Sequence, residues 1–191
     1  MRVDAALELD PAEQLELPWQ SATGHYFDLR SNARSIYQIA PARLHPPLGR
    51  FLATVNSDDS VFATAACQTK SAEAGGNATG RHQFSSSVAL VFVREDFNFE
   101  QSHYQGLIGQ LERLLVADSS DEALAARLRI GPCLFTQLRR EGFHLALSLE
   151  AQGDTPEQAQ LRWGLGLVRV QQALLFLSRV VRQHLPERAR K

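Results

Sequence analysis

One stretch limits the possible folds of this chain more than any other: Thr155-Pro-Glu-Gln158, then AQLRWGLGLVRVQQALLFLSRVVRQHL, then Pro186. Thr155 can accept a hydrogen bond from a first-turn N–H and Gln158, three residues on, can answer it. Pro156 takes the first helical position, where its missing donor costs nothing. The stretch is therefore a helix. Trp163, Leu167, Val170, Leu174, Leu177 and Val181 recur at spacings of four and three and share one stripe, from which Arg162, Arg169, Gln172, Arg179 and Gln183 fall away. Unbroken to Leu185, the helix would reach roughly 45 Å at about 1.5 Å per residue. That is longer than a small core is wide. Gly164 and Gly166 each cost about 1 kcal/mol relative to Ala inside a helix, which predicts a bend there or close packing on another backbone. The stripe is expected to cover the protein's own sheet. Its distal half, ALLFLSRVV, is also a candidate dimer seam or partner groove, with Arg169 and Arg179 giving orientation.

A chain of 191 residues suits one domain, here 1–186 followed by a basic tail at 187–191. With 44% apolar and 21% charged residues it has the composition of a soluble globular protein. Its net charge of −1 argues against a general nucleic-acid binder, which needs a basic excess. The charge is uneven: Asp4, Glu8, Asp10, Glu13 and Glu16 oppose only Arg2 in residues 1–18, whereas residues 160–191 hold six arginines and Lys191 against Glu187. No run of eighteen uncharged apolar residues exists, because Arg162, Arg169 and Arg179 interrupt the best candidate, so no membrane span is expected. The acidic start MRVDAALELDPAEQ does not suit a secretory signal. Two cysteines, Cys67 and Cys133, cannot build a disulfide framework, and a cytoplasmic location is expected.

Along the chain, Asp10-Pro-Ala-Glu13 predicts a short helix through about Leu17. Strands are expected at 25–30 and 35–40, a proline-bearing connection at 42–49, and an antiparallel hairpin of GRFLATV with SVFATAACQ. SSSVALVFVRE (85–95), nearly continuous in apolar residues, is the expected central strand. In EQSHYQGLIGQLERLLVA, Tyr104, Leu107, Ile108, Leu111, Leu114 and Leu115 make one helical face. Ser119-Ser-Asp-Glu122 is a further capping box, predicting a helix over EALAARLRI that Gly131-Pro132 ends. CLFTQL and FHLALSL flank Arg139-Arg-Glu-Gly142 as a hairpin, with Phe143, Leu145, Leu147 and Leu149 on one face and His144, Ala146 and Ser148 on the other. Strands and helices without regular alternation give an α+β fold: an antiparallel sheet of about five to seven strands covered by helices, with a long C-terminal helix.

The closing pattern of a helix into GPCLFTQL, the RREG turn, FHLALSLE and TPEQAQ opening a long helix resembles the last unit of type III secretion chaperones and related small chaperone-like domains. The resemblance covers residues 122–191 by pattern and the rest by layout. It departs in the strand material before residue 50, in the glycine-rich loop and in the longer final helix. It implies an α+β fold and a non-catalytic role, and assigns no site residue.

Chemistry has few candidates. Cys133 and His144 lie near each other across the predicted hairpin, as a nucleophile and its base would, but a cysteine in an apolar strand also serves as a small core residue. Gly75, Gly76, Gly80 and Arg81, within the 73–82 loop, could wrap an anion with backbone N–H groups, although neither the phosphate-loop pattern nor GxGxxG is present. The histidines show no ligand spacing, and no motif implies a metal or other cofactor. The expectation is a cytoplasmic, non-catalytic protein-binding module, an adaptor or chaperone-like domain. It would bind another protein or a second copy through an exposed sheet face or the C-terminal helix. The alternative is a small enzyme or ligand-binding domain using the 73–82 loop or Cys133 and His144.

Overall fold

Leu124, Ala126, Leu128 and Ile130 are buried while Ala125, Arg127 and Arg129 between them are not, and this period of two makes a strand where the capping box predicted a helix. The computed structural model describes residues 1–21, 24–73, 82–116 and 122–184. In it the strand β7 runs Leu124–Phe135 and turns at 136–139 into β8, Arg140–Gly153. The expected hairpin is present, but its turn is displaced from the RREG tetrad toward the N-terminus: Arg140, Glu141 and Gly142 pair with β7 as the start of β8, and only Arg139, in the left-handed conformation (φ 49°), belongs to the turn. Of the Ser119–Glu122 capping box only Glu122 lies among the described residues.

The N-terminal acidic stretch, where no strand was expected, is β1, Arg2–Leu9. It lies parallel to β7, and β2, Leu15–Leu17, continues along the same partner beyond an interruption at 10–14. The predicted Asp10 helix is only a 3-10 turn at Pro11–Glu13, with the Asp10 carboxylate accepting from Ala12 N–H. A full helix here would abandon the pairing with β7.

Residues 20–55 differ most from expectation. In place of a strand at 25–30 there is a two-residue ladder, β3 (Gln20–Ser21) with β4 (Gly24–His25), then a turn. Asp28 makes that turn by accepting from the Arg30 and Ser31 backbone N–H groups. The strand expected at 35–40 is a 3-10 helix, Ala33–Gln38. The expected connection at 42–49 and strand at 49–55 are helices α1, Ala40–Leu44, and α2, Pro46–Val55. Pro46 and Pro47 open α2, where the donors they lack have no helical acceptor. Leu48, Phe51, Leu52 and Val55 form its buried face, and Ala53, which completed the apparent alternation, is exposed.

Strands β5, Phe62–Glu73, and β6, His82–Phe92, therefore pair with each other. Helix α3, Gln101–Val116, follows as expected, burying Tyr104, Leu107, Ile108, Leu111 and Leu115 but leaving Leu114 36% exposed. The principal sheet is mixed, in the order β1-β7-β8-β6-β5, with β2 also on β7. Its centre is β8, and β6 lies one place toward the edge.

The last helix, α4, is continuous over Pro156–His184. Gln158 N–H donates to Thr155 Oγ1 at 3.2 Å, and the Gln158 side chain accepts from Asp154 N–H at 3.1 Å, one residue earlier than expected. Gly164 and Gly166 introduce no break. A Cβ at Gly166 would sit 2.9 Å from both Leu124 Cδ1 and Leu149 Cδ2, so the missing side chain lets α4 settle on the sheet. By length and composition α4 holds, within Pro156–Gln183, an 18-residue window apolar enough to cross a membrane, and 44% of that window is buried within the protein.

Helices α2, α3 and α4 cover one face of the sheet. Buried polar side chains fix their positions. Asn98 pairs with the backbone of Phe92 in both directions (2.8 and 2.9 Å) and accepts from Tyr104 Oη at 2.6 Å. Asn56 bridges Leu52 and Thr64 in the same way.

Candidate functional site

Five of the six stripe residues on α4 are used inside the molecule. Trp163, Leu167, Val170, Leu174 and Leu177 are between 0% and 6% exposed, and Val181 is half-buried. Trp163 packs on Phe84 (centroids 4.6 Å apart) and donates its indole N–H to Ser86 Oγ at 2.8 Å. These side chains cannot also face a partner without opening the core, so the available surface of α4 lies elsewhere. Arg169 is half-buried, and Arg179 is exposed.

That other surface follows a second periodicity. Glu157, Leu161, Leu165 and Val168, continuing through Gln172, Phe176, Arg179 and Gln183, are all exposed. Their spacing of four, four and three repeats every eleven residues, which keeps a seam almost straight along an α-helix. At 100° per residue they fall within an arc of about 100°. Leu161 is 67% exposed, Leu165 57%, Phe176 52% and Val168 44%. Shallow grooves run on both sides. One, of about 250 Å³, lies against α3 beside Leu114, Ala173 and Phe176; the other, of about 260 Å³, lies against α2 beside Pro47, Ala53 and Val168. Leu114 extends the apolar surface. The signal was present in the sequence, hidden because a helix with apolar residues on two faces does not stand out as amphipathic.

The opposite face of the sheet is polar where it is open. Register places Asp4, Arg127, Ser148, Ser87 and Gln68 in one row across five strands, and Glu150, Ser85 and Lys70 in the next. They line a cleft of about 600 Å³. Arg129 donates to Asp4 at 2.6 Å, and that bond holds the Asp4 carboxyl below the usual carboxylate range. Ser148 and Ser87 hydroxyls meet at 3.3 Å. The other end of this face is closed by a small second core, in which Leu15, Leu17 and Phe99 pack on Cys133, Phe135, Ala65 and Val91. Trp19 fastens it by donating to the Ala65 carbonyl at 2.8 Å.

Cys133 and His144 both belong to that closed end. Cys133 pairs in register with Gly142 and His144 with Gly131, so they are diagonal neighbours. Burial pushes the Cys133 thiol up to about 12 and the His144 imidazole down to about 4. A nucleophilic pair needs the opposite shifts, a stabilised thiolate beside an imidazolium. Both groups are neutral at pH 7, and each is at most 2% exposed. His144 Nδ1 has no hydrogen-bond partner among the described residues, and the ring's polar neighbours are the backbone of Pro132 and Gly131, so no carboxylate or other side chain orients it as a base.

Gly75, Gly76, Gly80 and Arg81 of the glycine loop lie outside the described residues. Among the described residues no group of three or more His, Cys, Asp or Glu side chains could hold a metal ion. No family model, curated protein or solved structure matches this chain.

Proposed function

We propose that this protein is a non-catalytic binding module for another polypeptide, an adaptor or chaperone-like domain, and that it binds through the outward face of α4. The observation that carries the proposal is the exposed line Leu161, Leu165, Val168 and Phe176 on a helix whose opposite face is already buried. A contiguous apolar surface rimmed by charge is a common mark of a protein-binding face. The sheet's open face is the less suitable of the two surfaces. It presents hydroxyls and charges in rows, several already paired with one another, and offers little apolar area to a partner.

This role extends the resemblance of the chain's closing unit to type III secretion chaperones. A reducing cytoplasm suits it, since Cys67 and Cys133 are both free thiols. The mechanism is apolar burial along the helix, with Glu157 at one end of the line and Arg179 at the other selecting orientation.

Site-specific photo-crosslinking in the native cell tests the role. A photoreactive phenylalanine analogue at Leu165 is expected to give discrete polypeptide adducts, and one at Gln68, on the open sheet face, is not. Absence of any polypeptide adduct from Leu165 would overturn the proposal.

A further inference from the structure

Building on that role, we infer that the partner seated on α4 is a second copy of this chain, its α4 antiparallel to the first and centred on Val168. The seam is self-complementary when reversed. Residues whose numbers add to 336 or 337 come opposite each other: Glu157 faces Arg179, Leu161 faces Phe176, and Val168 faces itself. One two-fold axis therefore makes two opposite-charge pairs and two aliphatic–aromatic pairs from a single stripe, as an isologous interface requires. A parallel arrangement would set Glu157 on Glu157 and Arg179 on Arg179, each a like-charge contact.

Three features of α4 favour this arrangement. Arg179 has no hydrogen bond or ion pair among the described residues, and its position on the seam makes it available to the mate's Glu157. The eleven-residue repeat keeps the seam straight over its length, about 33 Å from Glu157 to Arg179 at 1.5 Å per residue. A straight seam suits a helix held along its other side by a sheet. The groove against α3, beside Phe176, leaves room for the mate's Leu161, and the groove against α2, beside Val168 and Gln171, leaves room for the mate's Leu165.

Disulfide trapping of the full chain tests the register, and the inner face of α4 is untouched by every substitution used. Val168→Cys is expected to form a covalent dimer under mild oxidation, because the two Val168 positions meet at the axis and a disulfide needs Cα atoms within about 7 Å. Leu161→Cys and Phe176→Cys should each remain uncrosslinked alone, since like positions then lie roughly 22 Å apart along the axis. A mixture of the two should crosslink. Light scattering on size-exclusion eluates should show a dimer for the wild type and a monomer with unchanged far-UV circular dichroism for Leu165→Glu/Phe176→Glu. Glu157→Arg should weaken the dimer, and Glu157→Arg/Arg179→Glu should restore it. A wild type that stays monomeric to the highest soluble concentration, or a dimer that Val168→Cys does not trap, overturns the inference. If Leu165 nevertheless gives adducts with other polypeptides in cells, the binding role stands and only the self-pairing fails.

Discussion

Trp163 on α4 donates its indole N–H to the hydroxyl of Ser86 on β6, 2.8 Å away, and the two side chains are 0% and 5% exposed. The largest buried side chain of the molecule is thus anchored to the sheet by one polar contact in an apolar layer. Serine alternates on β6, with Ser85 and Ser87 turned to the polar face, so Ser86 is the member that reaches α4.

Ser86→Ala leaves that indole N–H buried without an acceptor and should cost about 1–3 kcal/mol in urea unfolding. Trp163→Phe removes the donor as well. In a double-mutant cycle the Ser86→Ala cost is expected to shrink in the Trp163→Phe background, and strict additivity would show that the contact carries no energy.

Gly131→Ala should destabilise by about 1–3 kcal/mol through overpacking. A Cβ there would collide with the Glu13 carbonyl oxygen and the His144 ring, where the chain between β1 and β2 crosses β7. The effect is expected in the midpoint of denaturant unfolding. A neutral result would mean that the 10–14 segment can lift away at no cost.

Stability should fall as pH drops from 6.5 to 4 because of His144. Its folded pKa, held down to about 4 by burial, lies below the ordinary 6.5. The unfolded chain therefore binds more protons than the folded one across that window, and stability rises with pH within it. The contribution is fully present above 6.5 and lost as pH falls toward 4, amounting to about 3 kcal/mol at about 1.4 kcal/mol per unit. Comparing wild type with His144→Leu in urea at pH 7 and pH 5 measures it, and equal slopes in both proteins would contradict the assignment.

The cysteines should resist thiol reagents at pH 8. Burial raises Cys67 to about 11 and Cys133 to about 12, which starves both of thiolate. Cys67, the less buried, should label first, and Cys133 only on unfolding. Rapid labelling of native Cys133 would revive the nucleophile that its environment argues against.

The two faces of α4 should answer differently to truncation. Leu174→Ala, in the core at 1% exposure, is expected to cost about 2–5 kcal/mol. Leu165→Ala, 57% exposed, should change the stability of the monomer by less than about 0.5 kcal/mol. Thermal melts at low protein concentration, where self-association does not contribute, distinguish them.

The sequence by itself determined those elements whose signals are local. The start of α4, its buried stripe, the face of α3 and the existence of a hairpin near residue 139, though not its register, follow from capping residues and side-chain periodicity, which act within a few positions. The α+β class follows from those same signals in combination. Tertiary structure decided the rest, because pairing and burial act between residues distant in the chain. β1 is a strand only because β7 offers it a parallel edge. Residues 124–130 form a strand, despite their capping box and alanines, because β8 and β1 both hydrogen-bond to them. Residues 46–55 are a helix because four apolar side chains find the core at helical spacing. The same holds for α4: periodicity named an apolar stripe, but only contact with the sheet showed that this stripe is inside and that the second, beginning at Leu161, faces out.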